Sequence, residues 1–387
     1  MSGNKMRWSY RLVLIIYIAV SPLLTAQTLA VSLVDSQSDQ QRDLEIASRF
    51  APIFYQGLGD DEYQDYIRNF DFDGDWRGDN NWANAENRRF PLRASVYFSV
   101  SETQTHLFIH YAVFHPRDYK GGDSGTLLSG IIREGARLGG KYDPTGQLEE
   151  AALAHENDME GCLVVVARNG NDLEQASIVY VETIAHNRIL KYVPQNSAAN
   201  GFETVGLEDQ KPRLYIEPKG HGIETYRGGK NQSPQNGILI YDLRGQASDL
   251  RENRQANKRY DLVSLFTTLW PRAQRGVNET YGEAHDYGRV TVSVIRKDGR
   301  KVEMQVRLGP LGSAFLGRVG ATNMARPPWG WFDRDARRDQ PLGSWFFDPA
   351  RTIQRHFYRG GDFSTSYIYA PFLGVQRVKQ ATTTDKQ

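Results

Sequence analysis

Two segments late in the chain, Arg289 to Arg296 and Lys301 to Leu308, alternate strictly between polar and apolar residues across the turn Lys297-Asp298-Gly299-Arg300. Alternation of this kind sends successive side chains to opposite faces of an extended chain. A polar, Gly-bearing turn between two such runs predicts a β-hairpin. Ala94 to Val100 and His106 to Phe114 form a second pair around Ser101 to Thr105. Cys162 to Arg168 and Ala176 to Thr183 form a third around Asn169-Gly170-Asn171-Asp172, and Gly237 to Leu243 is a further strand. Helical patterns are fewer: Asp43 to Tyr55 running into Pro52, Tyr260 to Leu269, and Pro349 to Tyr358. The balance predicts a mostly β (α+β) fold, an antiparallel β-sandwich core decorated with helices and long loops. Residues 119–150 and 228–236 are polar and Gly-rich and read as insertions. The expected organisation is a sandwich over residues 43–250 and a C-terminal extension over 251–375, packed on the same core.

The N-terminus predicts export. Lys5, Arg7 and Arg11 precede the apolar run Leu12 to Leu24. That run has the length of a signal-peptide core and falls short of the roughly 20 residues that span a bilayer. Pro22 stops it, and cleavage is expected after Ala26 or Ala30, so residues 1–30 read as a signal peptide. An uncleaved anchor is the alternative. The expected location is secreted or periplasmic. Lys plus Arg (47) and Asp plus Glu (46) nearly cancel, with no long basic block, so charge implies neither a nucleic-acid partner nor a membrane surface. Cys162 is the one cysteine, which excludes an intramolecular disulfide, and its place at the head of Leu163 to Val166 predicts a buried structural thiol.

Three stretches concentrate His and carboxyl groups at strand ends. They are His115-Pro116-Arg117-Asp118, His155-Glu156-Asn157-Asp158-Met159-Glu160, and the pair His186 and His221. In an extended chain Asp158 and Glu160 point to one side. Two carboxylates converging on one spot repel unless a proton or a cation lies between them. A divalent cation (Mg, Ca or Mn) satisfies such a set, with His155 as a ligand or as the holder of a bound water. A surface loop of solvated charges is the alternative. His186 and His221 are open to both a structural and a ligand-binding reading, whereas His106 and His110 read as partly exposed strand residues.

Tyr111-Ala112-Val113-Phe114-His115-Pro116-Arg117-Asp118, followed by His155 to Glu160 leading into a Val-rich strand, resembles the necrosis-inducing NPP1-like proteins. Those carry a Tyr-Phe-Pro-Lys-Asp segment before a Gly-His-Arg-His-Asp-Trp-Glu heptad. Ala185-His186 and Gly220-His221 follow in the same order, and the related fungal vacuolar-sorting family numbered sixty-two shares the layout. The resemblance covers about residues 90–245. It implies a β-sandwich whose divalent metal is held by Asp118, His155, Asp158 and Glu160, with His115, His186 and His221 as ligand-binding residues. Asn157 stands where the heptad has its second His, and Met159 where it has Trp.

Asp71, Asp73, Asp75 and Asp79 share the spacing of a calcium loop, but Trp76 and Trp82 stand where an EF-hand needs Gly and Glu. A loop of Asx turns is the first reading and a structural Ca²⁺ the second. The aromatic run Pro327 to Phe332, with Trp345-Phe346-Phe347, is expected to close over a core edge. The sequence supports three functional classes. The first is a metal-bearing module that binds a polar small molecule or lipid head group, sugar or phosphate. The second is a metal-dependent hydrolase of phosphate esters or glycosides, with Glu156 or a histidine as base. The third, by resemblance alone, is a membrane-active toxin.

Overall fold

Cys162 to Val166 is apolar without a break, and an uninterrupted apolar run in a strand calls for cover on both faces. The computed structural model describes residues 37–119, 154–170, 172–197, 201–252, 256–274, 281, 284–315, 326–336, 342–357 and 362–377. The expected signal peptide over residues 1–30, most of the expected insertion over 119–150 and the polar tail after residue 379 lie outside these. Two compact units divide the chain, Met1–Leu44, of which residues 37–44 are described and helical, and Glu45–Gln387. The second unit holds all the strands of the described residues.

Its strands begin with β1 (Ile53–Gly57), β2 (Ala94–Thr103), β3 (His106–Tyr119) and β4 (Ala154–Asn169). They continue with β5 (Asp172–Ala185), β6 (Arg188–Pro194), β7 (Glu203–Val205), β8 (Leu207–Glu208) and β9 (Lys211–Ile216). Next come β10 (Ile223–Thr225), β11 (Ile238–Gln246), β12 (Tyr260–Ser264) and β13 (Ala284–His285). The last are β14 (Arg289–Ile295), β15 (Lys301–Arg307), β16 (Leu311–Gly312) and β17 (Ser366–Tyr369). Helices are short: α1 (Glu62–Asp65), α2 (Asn81–Asn84), α3 (Leu269–Gln274), α4 (Ser344–Phe347) and α5 (Pro349–Phe357).

The protein is mostly β. One sheet has the order β10-β9-β1-β11, with β8 on β9; the larger runs β15-β14-β17-β2-β3-β4-β5-β6-β7, with β12 also on β2. All three expected hairpins form, as β2–β3, β4–β5 and β14–β15. The sheets are mixed, because β1–β9, β12–β2, β14–β17 and β6–β7 run parallel. Tyr260 to Leu269 is not a helix. Tyr260–Ser264 pairs with β2, whose open edge offers hydrogen bonds that outweigh local helical preference, and the helix starts only at Leu269. Asp43 to Tyr55 likewise divides, with helix to Arg49 and then strand from Ile53, since Pro52 cannot continue a helix.

The period-two rule then sorts β4. Cys162, Val164 and Val166 enter a core shared with Phe54, Leu214, Ile216 and Tyr241 of the smaller sheet. Leu163 and Val165 face a second core built with Trp329, Trp331, Trp345 and Phe346 from the C-terminal third. The expected aromatic run is therefore core. That cover also corrects the reading of His106 and His110, which are buried, with Phe363 against His106 and Trp345 and Phe346 against His110. Cys162 is free and wholly enclosed, and burial pushes its thiol up, away from reactive thiolate.

Candidate functional site

Antiparallel pairing of β3 and β4 sets His115 opposite Asp158 and Asp118 opposite His155. Residues thirty-seven or more apart in sequence thus lie side by side at one end of the larger sheet. Asn157, between His155 and Asp158, has left-handed backbone (φ 64°), although the β3–β4 register runs through it unshifted. Its side chain is clamped: Asn157 Nδ2 donates to Gly78 O at 2.6 Å and Asn81 Nδ2 donates to Asn157 Oδ1 at 2.7 Å. Glu156, wholly buried, accepts from the Trp82 backbone N–H, which ties β4 to α2. Arg117 donates to Trp82 O and pairs with Asp61 and Glu86 at 2.8 and 2.7 Å, tying the loop around α2 to β3.

His155 Nδ1 donates to the Asn157 carbonyl at 3.1 Å, and Nε2 lies 3.4 Å from Asp118 Oδ2. A neutral ring held this way aims the Nε2 lone pair at a carboxylate oxygen. Two acceptors facing each other are reconciled by a proton or a cation between them. Metal-bound histidines commonly have their other ring nitrogen anchored on a carbonyl in this fashion. Asp118 Oδ1 is buried and accepts no hydrogen bond.

Asp158 is engaged differently. His221 Nδ1 donates to Asp158 Oδ2 at 2.8 Å, and its Nε2 lies 3.4 Å from Asp65 Oδ1. Burial alone would lower His221, but the two carboxylates outweigh it and push it up to about 10. Burial opposes Asp158 ionisation in turn, yet the hydrogen bond from His221 holds its carboxyl well below the usual range. Asp65 is fixed by the backbone N–H groups of Gly59 at 2.6 Å and Lys219 at 2.7 Å. The His115 ring stacks on His221 at 3.8 Å and 5°, and its Nε2 meets Gln56 Oε1 at 3.0 Å. Burial, then the charge of His221, keeps His115 well below its ordinary value, so the ring is neutral. With Gln56 Nε2 donating to Gly57 O, the Gln56 oxygen must accept, which fixes the His115 proton on Nε2.

His186 and Asn187 form the two-residue turn between β5 and β6, both left-handed (φ 51° and 61°). Such turns favour Asn, Asp or Gly at the first position. His186 there sets its half-exposed ring against the Glu217 carboxyl, while its backbone N–H donates to Glu160 Oε1 at 2.9 Å. Lys219 and His221 are also left-handed (φ 70° and 55°). Uncommon backbone held in place by side-chain networks collects at working sites.

The structure sets these residues in three groups of contacts, Asp118 with His155, Asp158 with His221 and Asp65, and Glu160 with His186 and Glu217, while His115 stacks on His221. His115 and His221 are fully enclosed, and they back the carboxyl groups instead of facing solvent. Sequence reasoning missed Asp65, Gln56 and Glu217. Only Glu217 carried a signal, four residues before His221. Among the described residues, no group of three or more His, Cys, Asp or Glu is arranged to hold a metal ion as it stands. The acidic loop is closed by its own Asn residues: Asn84 Nδ2 donates to Asp73 and Asn80 Nδ2 to Asp75, with Asx turns at Asp73 and Asp75.

Fold and site together define a mostly β protein with a His- and carboxyl-rich cluster at its strand ends. No protein-family profile matches this chain, and no curated protein does. Among solved structures, it is similar to NLPPya in complex with mannosamine at 14% identity and a TM-score of 0.27, over 57% of this chain and 71% of that one. Necrosis and Ethylene inducing Protein 2, from the causal agent of cocoa's Witches Broom disease, aligns at 14% identity and 0.25, over 57% and 73%. The non-toxic HaNLP3 protein aligns at 14% and 0.24, again over 57% and 73%. No helix among the described residues is long and apolar enough to cross a membrane.

Proposed function

We propose that this protein is an exported module that binds a polar head group, sugar or phosphate, through a divalent cation (Mg, Ca or Mn). Asp118 and His155 would hold the cation, joined by Asp158 and Glu160, as the NPP1-like pattern of residues 111–118 and 155–160 implies. The observation that carries the reading is the buried Asp118 carboxyl, with one oxygen accepting nothing and the other facing His155 Nε2 at 3.4 Å. Asp158 meets His221 through Oδ2, so His221 can orient that carboxylate while its other oxygen serves the site. A bound cation of this class supplies open positions for ligand oxygens. His186 and Glu217, half-exposed at the strand ends, would receive the ligand's hydroxyl or amine groups.

Metal titration of the mature protein tests this, wild type against Asp118→Asn. Stoichiometric binding of one of the three ions, lost in a variant with unchanged far-UV spectrum and melting temperature, is the expected result. No binding of any of them by wild type, or equal binding by the variant, sinks the proposal.

A metal-dependent hydrolase is the second reading, and the His186–Glu217 pair favours it, because an imidazole held by a carboxyl is suited to general-base work. Turnover of phosphate esters or glycosides that disappears in His186→Gln with metal binding intact would select it over simple binding.

A further inference from the structure

Arg68 is wholly buried, directly after α1, in a segment whose backbone bridges to β3 through Arg68 N–H and Phe114 O at 3.0 Å. Its Nη2 donates to Ala85 O at 2.7 Å, and the guanidinium lies 4.6 Å from the centre of the Phe72 ring. Nε and Nη1 are buried and donate to nothing, and no carboxyl of the described residues forms an ion pair with the group. A permanently charged side chain in the interior without a counter-charge is costly, and buried arginine is ordinarily paired. The nearby groups do not supply that charge. Arg117 is of like sign and already paired, Tyr63, Tyr66 and Tyr241 bring phenols and no carboxylate, and His115 is neutral. Burial, reinforced by Arg117, brings even the guanidinium down to about 10.

We propose that the unpaired Arg68 guanidinium holds a small inorganic anion, a halide, inside the sandwich beside β3. A water molecule at either orphaned donor would leave the charge uncompensated, whereas a halide accepts a hydrogen bond and cancels the charge. Nε–H shares its edge of the guanidinium with Nη2, which donates to Ala85 O, and Nη1 opens on another edge, so the ion meets one of the two orphaned donors. The enclosure of Arg68 excludes a bulky phosphate or carboxylate ligand. The ion would bolster the segment that carries Asp65 and Arg68 into the base of the candidate site, independently of whether that site binds a metal.

The test uses the full mature chain in sodium gluconate, with bromide or chloride replacing gluconate at constant ionic strength. Linkage predicts that the melting temperature rises by about 2 °C for each tenfold excess of halide over its dissociation constant. Arg68→Met should abolish the rise. A crystal grown in bromide should show an anomalous peak in hydrogen-bond contact with Arg68 Nε or Nη1. A melting temperature indifferent to halide overturns the proposal, as does a rise that persists unchanged in Arg68→Met. If that variant does not fold, the bromide peak in wild type decides alone, and its absence at Arg68 overturns the proposal. Metal titration is blind to this ion, so failure here and failure of the cation site are distinguishable.

Discussion

Asp158 and His221 share a 2.8 Å hydrogen bond across 63 positions of sequence, and the His221 ring is wholly out of solvent. The pair joins β4 to the loop before β10, and Asp65 brings α1 into the same contact. One carboxyl expected to serve a ligand therefore also holds a buried imidazolium.

Removing it should show in stability. Breaking a buried ion pair from one side costs about 3–5 kcal/mol; with Asp65 still present, Asp158→Ala should lose about 3 kcal/mol. Asp118→Asn should change stability by less than about 1 kcal/mol, since Asp118 Oδ1 accepts no hydrogen bond. Urea unfolding midpoints with unchanged slopes would check both. A neutral Asp158→Ala would mean that the His221 charge is held elsewhere.

Burial lowers His110 from 6.5 to about 4, and the bond of its Nε2 to Trp345 O only partly offsets this. The folded form resists protonation that the unfolded chain accepts below 6.5. The stabilising contribution of neutral His110 is complete above pH 6.5 and is lost as the pH falls towards 4, by about 2–3 kcal/mol. The variant His110→Gln keeps a donor for the Trp345 carbonyl and should flatten that part of the stability profile. Melting temperatures from pH 7 to pH 4 would reveal an equal slope in both proteins if the reasoning fails.

Glu182 on β5 is wholly buried, and its carboxyl accepts from Trp345 Nε1 at 2.7 Å and meets His356 Nδ1 of α5. It is a polar link between the larger sheet and the helices that cover it. Truncation to Ala strands both partners and should cost about 2–4 kcal/mol, whereas Glu182→Gln keeps the indole bond and should cost less. Thermal melts with near-UV circular dichroism of Trp345 would separate these outcomes.

Gly161 sits where β3, β4 and the Trp331 indole converge. A Cβ there would overlap Tyr111 O and lie 2.5 Å from Trp331 Cη2. Gly161→Ala should destabilise by at least about 3 kcal/mol or prevent folding, because backbone and a buried indole cannot both give way. Soluble yield and melting temperature at wild-type values would contradict this.

The sequence by itself determined the three hairpins, since alternation and turn chemistry act between residues close in the chain. It also marked the strand-end histidines and carboxyls, because their motif spacing is local. What it could not set was the cover on the far face of the larger sheet. His106 and His110 alternate like exposed strand residues, and only the arrival of Trp345, Phe346 and Phe363 from more than two hundred positions away buries them. Tyr260–Ser264 became a strand for the same reason, since β2 had an edge to fill. The partners of the candidate site were decided the same way. Asp65, Gln56 and Glu217 lie in segments with no shared pattern, and pairing across β3, β4 and β10's loop brings them within hydrogen-bond reach. Local propensity reads one strand at a time, whereas burial and charge pairing depend on what the whole chain lays over it.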